Sequence, residues 1–502
     1  MLDISARIER SFSLHRRRQA ICIEGRLHSY DELRSRSLCI QHEIESAVDQ
    51  PLIGVVAGNN FDTYAAILAI LRAGRGFVPI NPHHPEARNQ KIIADAGLKT
   101  ILIPEPRLRN QFAASSLLKI VVTEEATLES ASPAAMPGAE TIAYLLFTSG
   151  STGAPKGVPI TRANLCAFLD SLTATGFGFT SSDRVLQMFD LTFDFSIASY
   201  LAPLSCGASV YTLPSGTAKF TEVYRLLDSE RLTVAPMVPS VLSHLRPYFS
   251  EVHLPDLRLT ILCGETLLVD LANEWMHCAP ISRMTNFYGP TEGTVFAMIY
   301  EWSPDEGRSK SLNGIVSIGR PMPENISIVV DRELNPVPVG AIGELCLAGP
   351  QITPGYWLDP LRNAQSFFEL LVQNGKQRFY RTGDMVVADS QGDHLFRGRI
   401  DTQIKIQGFR VELGEIEFHA REVTAGHACV VIHRVQASGR SDFSLVVENY
   451  PGDLKSVISA LRVRIPPYMV PTRAMCVEKL PLNTNGKIDR LALRHRLEER
   501  FG

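Results

Sequence analysis

Residues 145–157, LLFTSGSTGAPKG, pass without a break from an apolar run into a loop of Ser, Thr and Gly that closes on a single lysine, Lys156. The apolar half has the composition of a buried strand. In the loop, glycines let successive backbone N–H groups point toward one centre, and hydroxyls plus an ammonium add donors, so the composition suits a polyphosphate. It is not a Walker A loop, in which a glycine stands directly before the lysine and a hydroxyl directly after it. Here Pro155 precedes Lys156 and Gly157 follows. A Gly/Ser surface turn is the competing reading of the loop taken by itself.

Working outward, residues 140–300 alternate β-rich apolar runs (AYLLF, RVLQMF, ASVYTL, LTVAPMV, LRLTILC, RMTNFY) with helical patterns such as TEVYRLLDSERL and LLVDLANEWMHC. That alternation predicts an α/β fold, a mostly parallel sheet with helices on its faces. An earlier segment, FDTYAAILAILRAG, sets Tyr64, Ile67, Leu68 and Leu71 on one helical stripe and ends at Gly74, so the same architecture begins near the N-terminus. In open α/β sheets ligands bind beyond the carboxyl ends of the strands. Four polar loops follow such strands and are expected to converge on one edge: TSGSTGAPKG, TFDFS, the CGE after Leu262 and YGPTEGT.

The 502 residues, 45% hydrophobic and 21% charged with a net charge of −3, describe an ordinary globular chain long enough for more than one domain. They give no reason to expect nucleic acid or an anionic membrane as partner. The first twenty residues lack the apolar core of a signal peptide, and YAAILAILRAG is too short to span a bilayer, so a cytoplasmic location is expected. Nine cysteines form no C-x-x-C pair and do not cluster with histidine, which argues against zinc and against a disulfide framework. His83 and His84 fall in a Pro-rich turn and read as solvated. Toward the C-terminus the pattern becomes polar-apolar alternation, then a helix opening at Leu413, within a short α+β stretch. The expected organisation is a large N-terminal domain of parallel and mixed sheets covered by helices, residues 1–400, and a small mobile α+β domain, residues 401–502.

The order of these pieces resembles the adenylate-forming superfamily, specifically the amino-acid-activating adenylation enzymes that serve carrier proteins. The resemblance runs from LHSYDEL (27–33) and LRAGRGFVPINP (71–82) through TSGSTGAPKG, FDFS, NFYGPTEGT, GELCLAGPQITPGYW, YRTGD, GRIDTQIKIQGFRVELGEIE and IPPYMVP to NTNGKIDR (483–490). It implies a two-step reaction in which a carboxylate attacks the α-phosphorus of ATP, giving aminoacyl-AMP and pyrophosphate, and a phosphopantetheine thiol then takes the acyl group. By family position Thr148, Ser149, Gly150, Ser151, Thr152 and Lys156 cradle the departing phosphates. Glu292 holds Mg²⁺. Tyr288 offers a face to adenine with Asn286 at its edge, and Phe287, Gly289, Pro290, Thr291 and Phe396 complete the nucleotide site. Asp384 accepts from the ribose hydroxyls, with Arg399 beside ribose or phosphate. Lys487 is the catalytic cation that meets both carboxylate and phosphate. Asp401 is the hinge of the mobile domain, and Gly408 lies against the pantetheine arm. Gln407 stands where many relatives carry arginine, so no charged contact is carried over there.

Asp194 matches the aspartate that holds the substrate ammonium in amino-acid-activating members; an N-cap of the following helix is its alternative reading. The other pocket positions are Phe195, Ala198, Pro236, Ile261, Cys263, Phe287, Val295 and Phe296, none of them charged. A charged substrate side chain would be buried there without a partner. The resemblance therefore implies a small neutral amino acid. ILCGETL around Cys263 looks most like D-alanine:carrier-protein ligases, but Phe287 departs from their smaller residue. Alanine of either hand, glycine, serine and proline stay open. Because the chain ends soon after NGKIDR, the carrier is expected in trans. Acyl- or aryl-CoA ligation, disfavoured by Asp194, and a non-catalytic adenylate-binding relative are the rival readings.

Overall fold

The computed structural model describes residues 2–47, 49–112, 118–121, 137–150, 154–214, 219–307, 309–372, 375–401, 403–406, 408–435, 441–482 and 488–501. They form two compact units. The first comprises Met1–Pro82, Ile93–Phe147 and Gly157–Ile400; the second comprises His83–Ile92, Thr148–Lys156 and Asp401–Gly502.

The first unit is built on three large sheets, beside a two-stranded ribbon of Ser311–Leu312 and Ile315–Val316. In the largest, of nine strands, Arg283–Tyr288, Leu259–Leu262, Val234–Met237, Arg184–Gln187, Ser209–Thr212 and Gln19–Ile23 lie side by side and parallel, with antiparallel strands closing both edges. Two of these strands are buried along their whole length and the other four at every residue after the first, which is why they read as continuous apolar runs rather than alternating ones. The second sheet, of six strands, contains Leu52–Val56, Gly76–Ile80, Thr100–Ile103 and Ile142–Thr148. Here the sequence expectation is corrected. AYLLF belongs to this second sheet and the other five apolar runs to the first, because a doubly buried strand has the same local composition in either sheet. The loop after Thr148 therefore leaves a different sheet from the loops after Gln187, Leu262 and Tyr288. The third sheet is antiparallel and carries Ile342–Ala348, Gly375–Ala388 and His394–Arg399.

The helix Phe61–Arg72 starts at Asn60, whose side chain accepts from the Thr63 N–H at 2.9 Å. It buries more than the expected stripe: every residue from Thr63 to Leu71 is enclosed. The reason is that it packs on the strands Leu52–Val56 and Gly76–Ile80 while Tyr64 reaches Gln187 and Tyr200 on the side of the large sheet. One main core runs through all these layers.

In the second unit an antiparallel hairpin, Gln403–Ile406 and Phe409–Glu412, leads into the helix Leu413–Val423, at the position expected. A three-stranded sheet of Cys429–Val435, Ser441–Glu448 and Arg473–Val477 packs with the helices Leu454–Arg462 and Arg490–Phe501 around cores of its own. Among the described residues all nine cysteines are unbridged, no group of side chains forms a metal cluster, and no helix is long and apolar enough to cross a membrane.

Candidate functional site

The pleat of one strand sorts the candidate residues. Along Arg283–Tyr288 successive side chains point to opposite faces. Pairing sets Pro236 beside Ile261 and Ile261 beside Thr285, so Pro236, Ile261 and Phe287 share one face while Asn286 and Tyr288 share the other. The side chain of Phe287, expected in both the nucleotide site and the acyl pocket, thus points away from Asn286 and Tyr288 and stands with the pocket candidates, so one strand supplies both sets by parity.

On the nucleotide face, the Tyr288 hydroxyl donates to Asp384 Oδ2, and Arg399 donates to Asp384 Oδ1 at 2.6 Å. Asp384 and Arg399 are directly opposed on neighbouring antiparallel strands, which explains the pairing. Burial and the adjacent carboxylate push the Tyr288 phenol well above its usual range, so it stays protonated and donating. The Asn286 amide donates to the Ser317 carbonyl at 2.8 Å. Phe396 faces Val386 across the strands and packs against the main core.

Glu292 sits in the single 3-10 turn Thr291–Gly293, capped by Pro290, and is fully buried. Its Oε1 accepts from the Tyr356 hydroxyl at 2.6 Å, and its carbonyl accepts from the Thr353 N–H at 2.9 Å. A buried carboxylate oriented by a phenol is a hard oxygen donor, which fits Mg²⁺ bound through one protein carboxylate with phosphates and water completing the shell. The backbone then passes through Thr294 at φ 58° and Val295 at φ 70°. Left-handed geometry is unusual for any non-glycine residue and most unusual for a β-branched one. Gly289 makes room for this bend: a Cβ there would lie 2.4 Å from the Val295 carbonyl oxygen.

On the acyl face, Phe296 stacks on Phe287 with centroids 4.5 Å apart and meets Phe195 edge-on at 5.1 Å. Phe195 in turn stacks on Phe189 at 4.2 Å. The three expected pocket phenylalanines therefore pack mutually and fill volume. Ala198 lies in the π-helical turn Ile197–Leu201, and Cys263 follows the strand Leu259–Leu262; both are buried, as is Val295. Asp194 is buried too, one residue before Phe195. The N-cap of the π-helical turn is Ser196, which makes no side-chain cap bond. Tyr144 is fully enclosed, its hydroxyl has no hydrogen-bond partner among the described residues, and burial followed by the charge of Asp194 raises its pKa well above normal.

The remaining candidates lie in the second unit. Thr148 Oγ1 is buried without a hydrogen-bond partner among the described residues, an orphaned donor of the kind a ligand oxygen would satisfy. Ser149 Oγ donates to the Arg410 carbonyl, and the Gly150 N–H donates to Glu415 Oε2 at 3.3 Å. Glu415 also takes Arg88 at 2.5 Å. Lys156 is buried. Asp401 opens the C-terminal part of this unit and accepts from the Gln403 N–H at 3.1 Å. Gly408 turns the hairpin at φ 84°, so a left-handed backbone suffices to demand glycine there. His83 is exposed, while His84 is half-buried and makes a ring contact with Tyr468. Ser151, Thr152, Gln407 and Lys487 lie outside the described residues.

Sequence reading missed Gln351, Asn325, Thr353 and Tyr356, which bond to the Glu292 turn or to each other. Three of them lie inside GELCLAGPQITPGYW, where the motif was visible but nothing in its spacing assigned a partner.

Comparison with known proteins supplies the lineage. Residues 8–357 match the family of AMP-binding enzymes. Tyrocidine synthase 1 of Brevibacillus parabrevis is 32% identical over 487 residues, which is 95% of this chain and 43% of that synthase. The chain likewise spans less than half the length of three other curated relatives that it matches. The Vibrio cholerae adenylation domain AlmE, solved with glycyl-adenosine-5'-phosphate, superimposes with a TM-score of 0.87 at 25% identity, covering 99% of this chain and 98% of that one. PA1221, a nonribosomal peptide synthetase (NRPS) protein containing adenylation and PCP domains, gives 0.85 at 25% identity, covering 98% and 84%. With the family match extending over most of its length and the fold of adenylation domains throughout, this chain belongs to the AMP-binding enzyme family.

Proposed function

We propose that the protein activates a small neutral amino acid with ATP and transfers it as a thioester to the phosphopantetheine arm of a carrier protein. The observation that carries this reading is the division of one strand into two faces, with Tyr288, Asp384 and Arg399 linked on one and a close-packed Phe195–Phe287–Phe296 wall beside buried Asp194 on the other. AlmE with a bound glycyl adenylate and PA1221 with its PCP domain support the small acyl group and the carrier partner respectively.

In the first half-reaction an oxygen of the amino-acid carboxylate bonds to the α-phosphorus while the bond to the bridging oxygen of the β-phosphate breaks, releasing pyrophosphate. Asp194 holds the ammonium, and the phenylalanine wall limits the side chain. Asp384 receives the ribose hydroxyls, Tyr288 and Asn286 receive adenine, and Thr148 through Thr152 with Lys156 hold the leaving phosphates. Mg²⁺ held through Glu292 would neutralise phosphate charge. Lys487 offsets the repulsion between the two reacting anions. In the second half-reaction the thiol sulfur bonds to the acyl carbon and AMP departs; the C-terminal domain, 401–502, turning about Asp401, exchanges Lys487 for the Gly408 loop.

Pyrophosphate release measured across D- and L-amino acids tests the reading. Activity confined to small neutral members, followed by loading of a holo-carrier in preference to coenzyme A, is expected. Release driven by aryl or fatty acids and not by amino acids would overturn it.

A further inference from the structure

The bend that carries Glu292 into Val295 and Phe296 does not hold itself. Two successive non-glycine residues in left-handed geometry, the second β-branched, relax toward ordinary backbone unless the surroundings over-determine them. Among the described residues, two short-range backbone bonds lie within the bend after Gly293: Thr294 N–H to the Thr291 carbonyl at 3.1 Å and Phe296 N–H to the Thr294 carbonyl at 2.9 Å. At its flanks the Ala297 N–H donates to the Tyr288 carbonyl and the Thr353 N–H to the Glu292 carbonyl, each at 2.9 Å, and between them the bend is tied by Gln351, which is fully buried. Its Nε2 donates to the Phe296 carbonyl at 2.6 Å and to the Gly293 carbonyl at 3.2 Å, and the main-chain carbonyl of Gln351 accepts from the Thr294 hydroxyl. Both groups facing Nε2 are carbonyls, which only accept, so the amide can sit in one orientation. Asn325 fixes that orientation by donating to Gln351 Oε1 at 2.6 Å.

Resting on the proposed activity, we infer that Gln351 is a positioning and specificity residue: by clamping the Gly293–Phe296 bend it sets where Val295 and Phe296 stand in the acyl pocket, with Asn325 as its support. Gln351 touches no reacting atom. It acts through the pocket wall, because Phe296 lies against both Phe287 and Phe195 and any relaxation of the bend shifts that wall. The nucleotide face is fastened separately, through Asp384 and through the bonds of Tyr356 and Thr353 to Glu292, so its contacts survive the loss of the clamp.

The test substitutes Gln351→Met, which keeps chain length and removes both donors, and Asn325→Ala, which leaves the amide in place without its support. In amino-acid-dependent pyrophosphate exchange, Gln351→Met should raise the amino-acid KM by roughly ten-fold, the scale of leaving one buried acceptor unpaired, while the ATP KM stays within about two-fold. Preference for the best small substrate over a larger neutral one should narrow. Asn325→Ala should show the same split at smaller size. Hydrogen exchange of the peptide covering 289–297 should rise, with that covering 380–399 unchanged. A merely structural role would lower the active fraction and the melting temperature and leave both KM values where they were. Equal KM changes for amino acid and ATP, or neither changing, overturns the inference; if Gln351→Met does not fold, Asn325→Ala decides on the same criteria. A parent protein inactive with every amino acid defeats the proposed function instead, and the exchange measurement then still judges the clamp.

Discussion

Replacing Asp384 by asparagine keeps the side chain's shape and one acceptor oxygen and removes its charge. In the protein that charge faces Arg399 at 2.6 Å, with side chains 8% and 15% exposed. A pair this enclosed is far from the surface regime of about 0–1 kcal/mol. Breaking one partner of a buried pair costs about 3–5 kcal/mol. The retained amide oxygen still accepts from Tyr288 or Arg399, restoring about 1 kcal/mol, so the expected loss is roughly 2–4 kcal/mol. For a unit of roughly 380 residues that is a fall in melting temperature of about 2–5 °C. If Asp384 also receives the ribose hydroxyls, one charge-assisted bond worth about 1.5–3 kcal/mol disappears as well, and kcat/KM for ATP should fall roughly 10- to 100-fold with the amino-acid KM little changed. Scanning calorimetry and pyrophosphate exchange read the two effects separately. Because Asp384→Asn and Arg399→Gln break the same pair, their double variant should lose less stability than the sum of the singles. An unchanged melting temperature would refute the buried-pair argument; a kcat/KM for ATP within two-fold of the parent would refute the ribose role.

Asp194→Ala should cost roughly 2–5 kcal/mol of amino-acid activation, the scale for truncating one partner of a desolvated charge pair, with ATP binding retained; an unchanged amino-acid KM in pyrophosphate exchange would leave the residue a structural role alone. Cys263→Ala should alter the ratio of kcat/KM for D- and L-enantiomers without comparable loss of ATP affinity, and an unaltered ratio would mark Cys263 as ordinary core. Lys487→Ala should lower adenylate formation by a few powers of ten and spare transfer from synthetic aminoacyl-AMP to a holo-carrier; equal losses in both steps would sink the exchange of roles between domain faces. Gly408→Leu is expected to do the reverse, but its positive φ means that the comparison must be made against Gly408→Ala, which meets the same backbone strain without the bulk.

What could be read in the sequence was whatever depends on short-range chemistry. The five apolar runs of the large sheet, the helix that closes before Gly74 and the helix opening at Leu413 stand where apolar patterning and the terminal glycine put them. Tyr288, Glu292 and Asp384 could be named as candidates because they stand inside strings that resemble the adenylate-forming pattern. The assignment of AYLLF to a second sheet was not, since strand partners are chosen by long-range pairing that leaves no trace in a uniformly buried strand. The left-handed backbone at Thr294 and Val295 was invisible for another reason: sequence announces positive φ through glycine, and here tertiary hydrogen bonds from Gln351 impose it on residues that resist it. Asn325 and Tyr356 were likewise silent, because their partners lie tens of residues away in the chain.

That contrast bears on how the two halves of the site can change. Phe287 and Tyr288 are neighbours on one strand, so no backbone movement can widen the acyl side without carrying the nucleotide side with it. Independent freedom lies in elements that meet the strand from outside, such as the Gln351-clamped bend at Val295 and Phe296 and the π-helical turn bearing Ala198. A π turn and a pair of left-handed residues are both conformations with little intrinsic stability, held in place by neighbours. Ser199 ties the first to Gln187 at 2.7 Å, and Gln351 ties the second. On the proposed function, substrate preference can therefore drift through residues such as Ser199, Gln351 and Asn325 that need not touch the substrate, while the linked Asp384, Arg399 and Tyr288, proposed to hold the nucleotide, stay fixed on the opposite face.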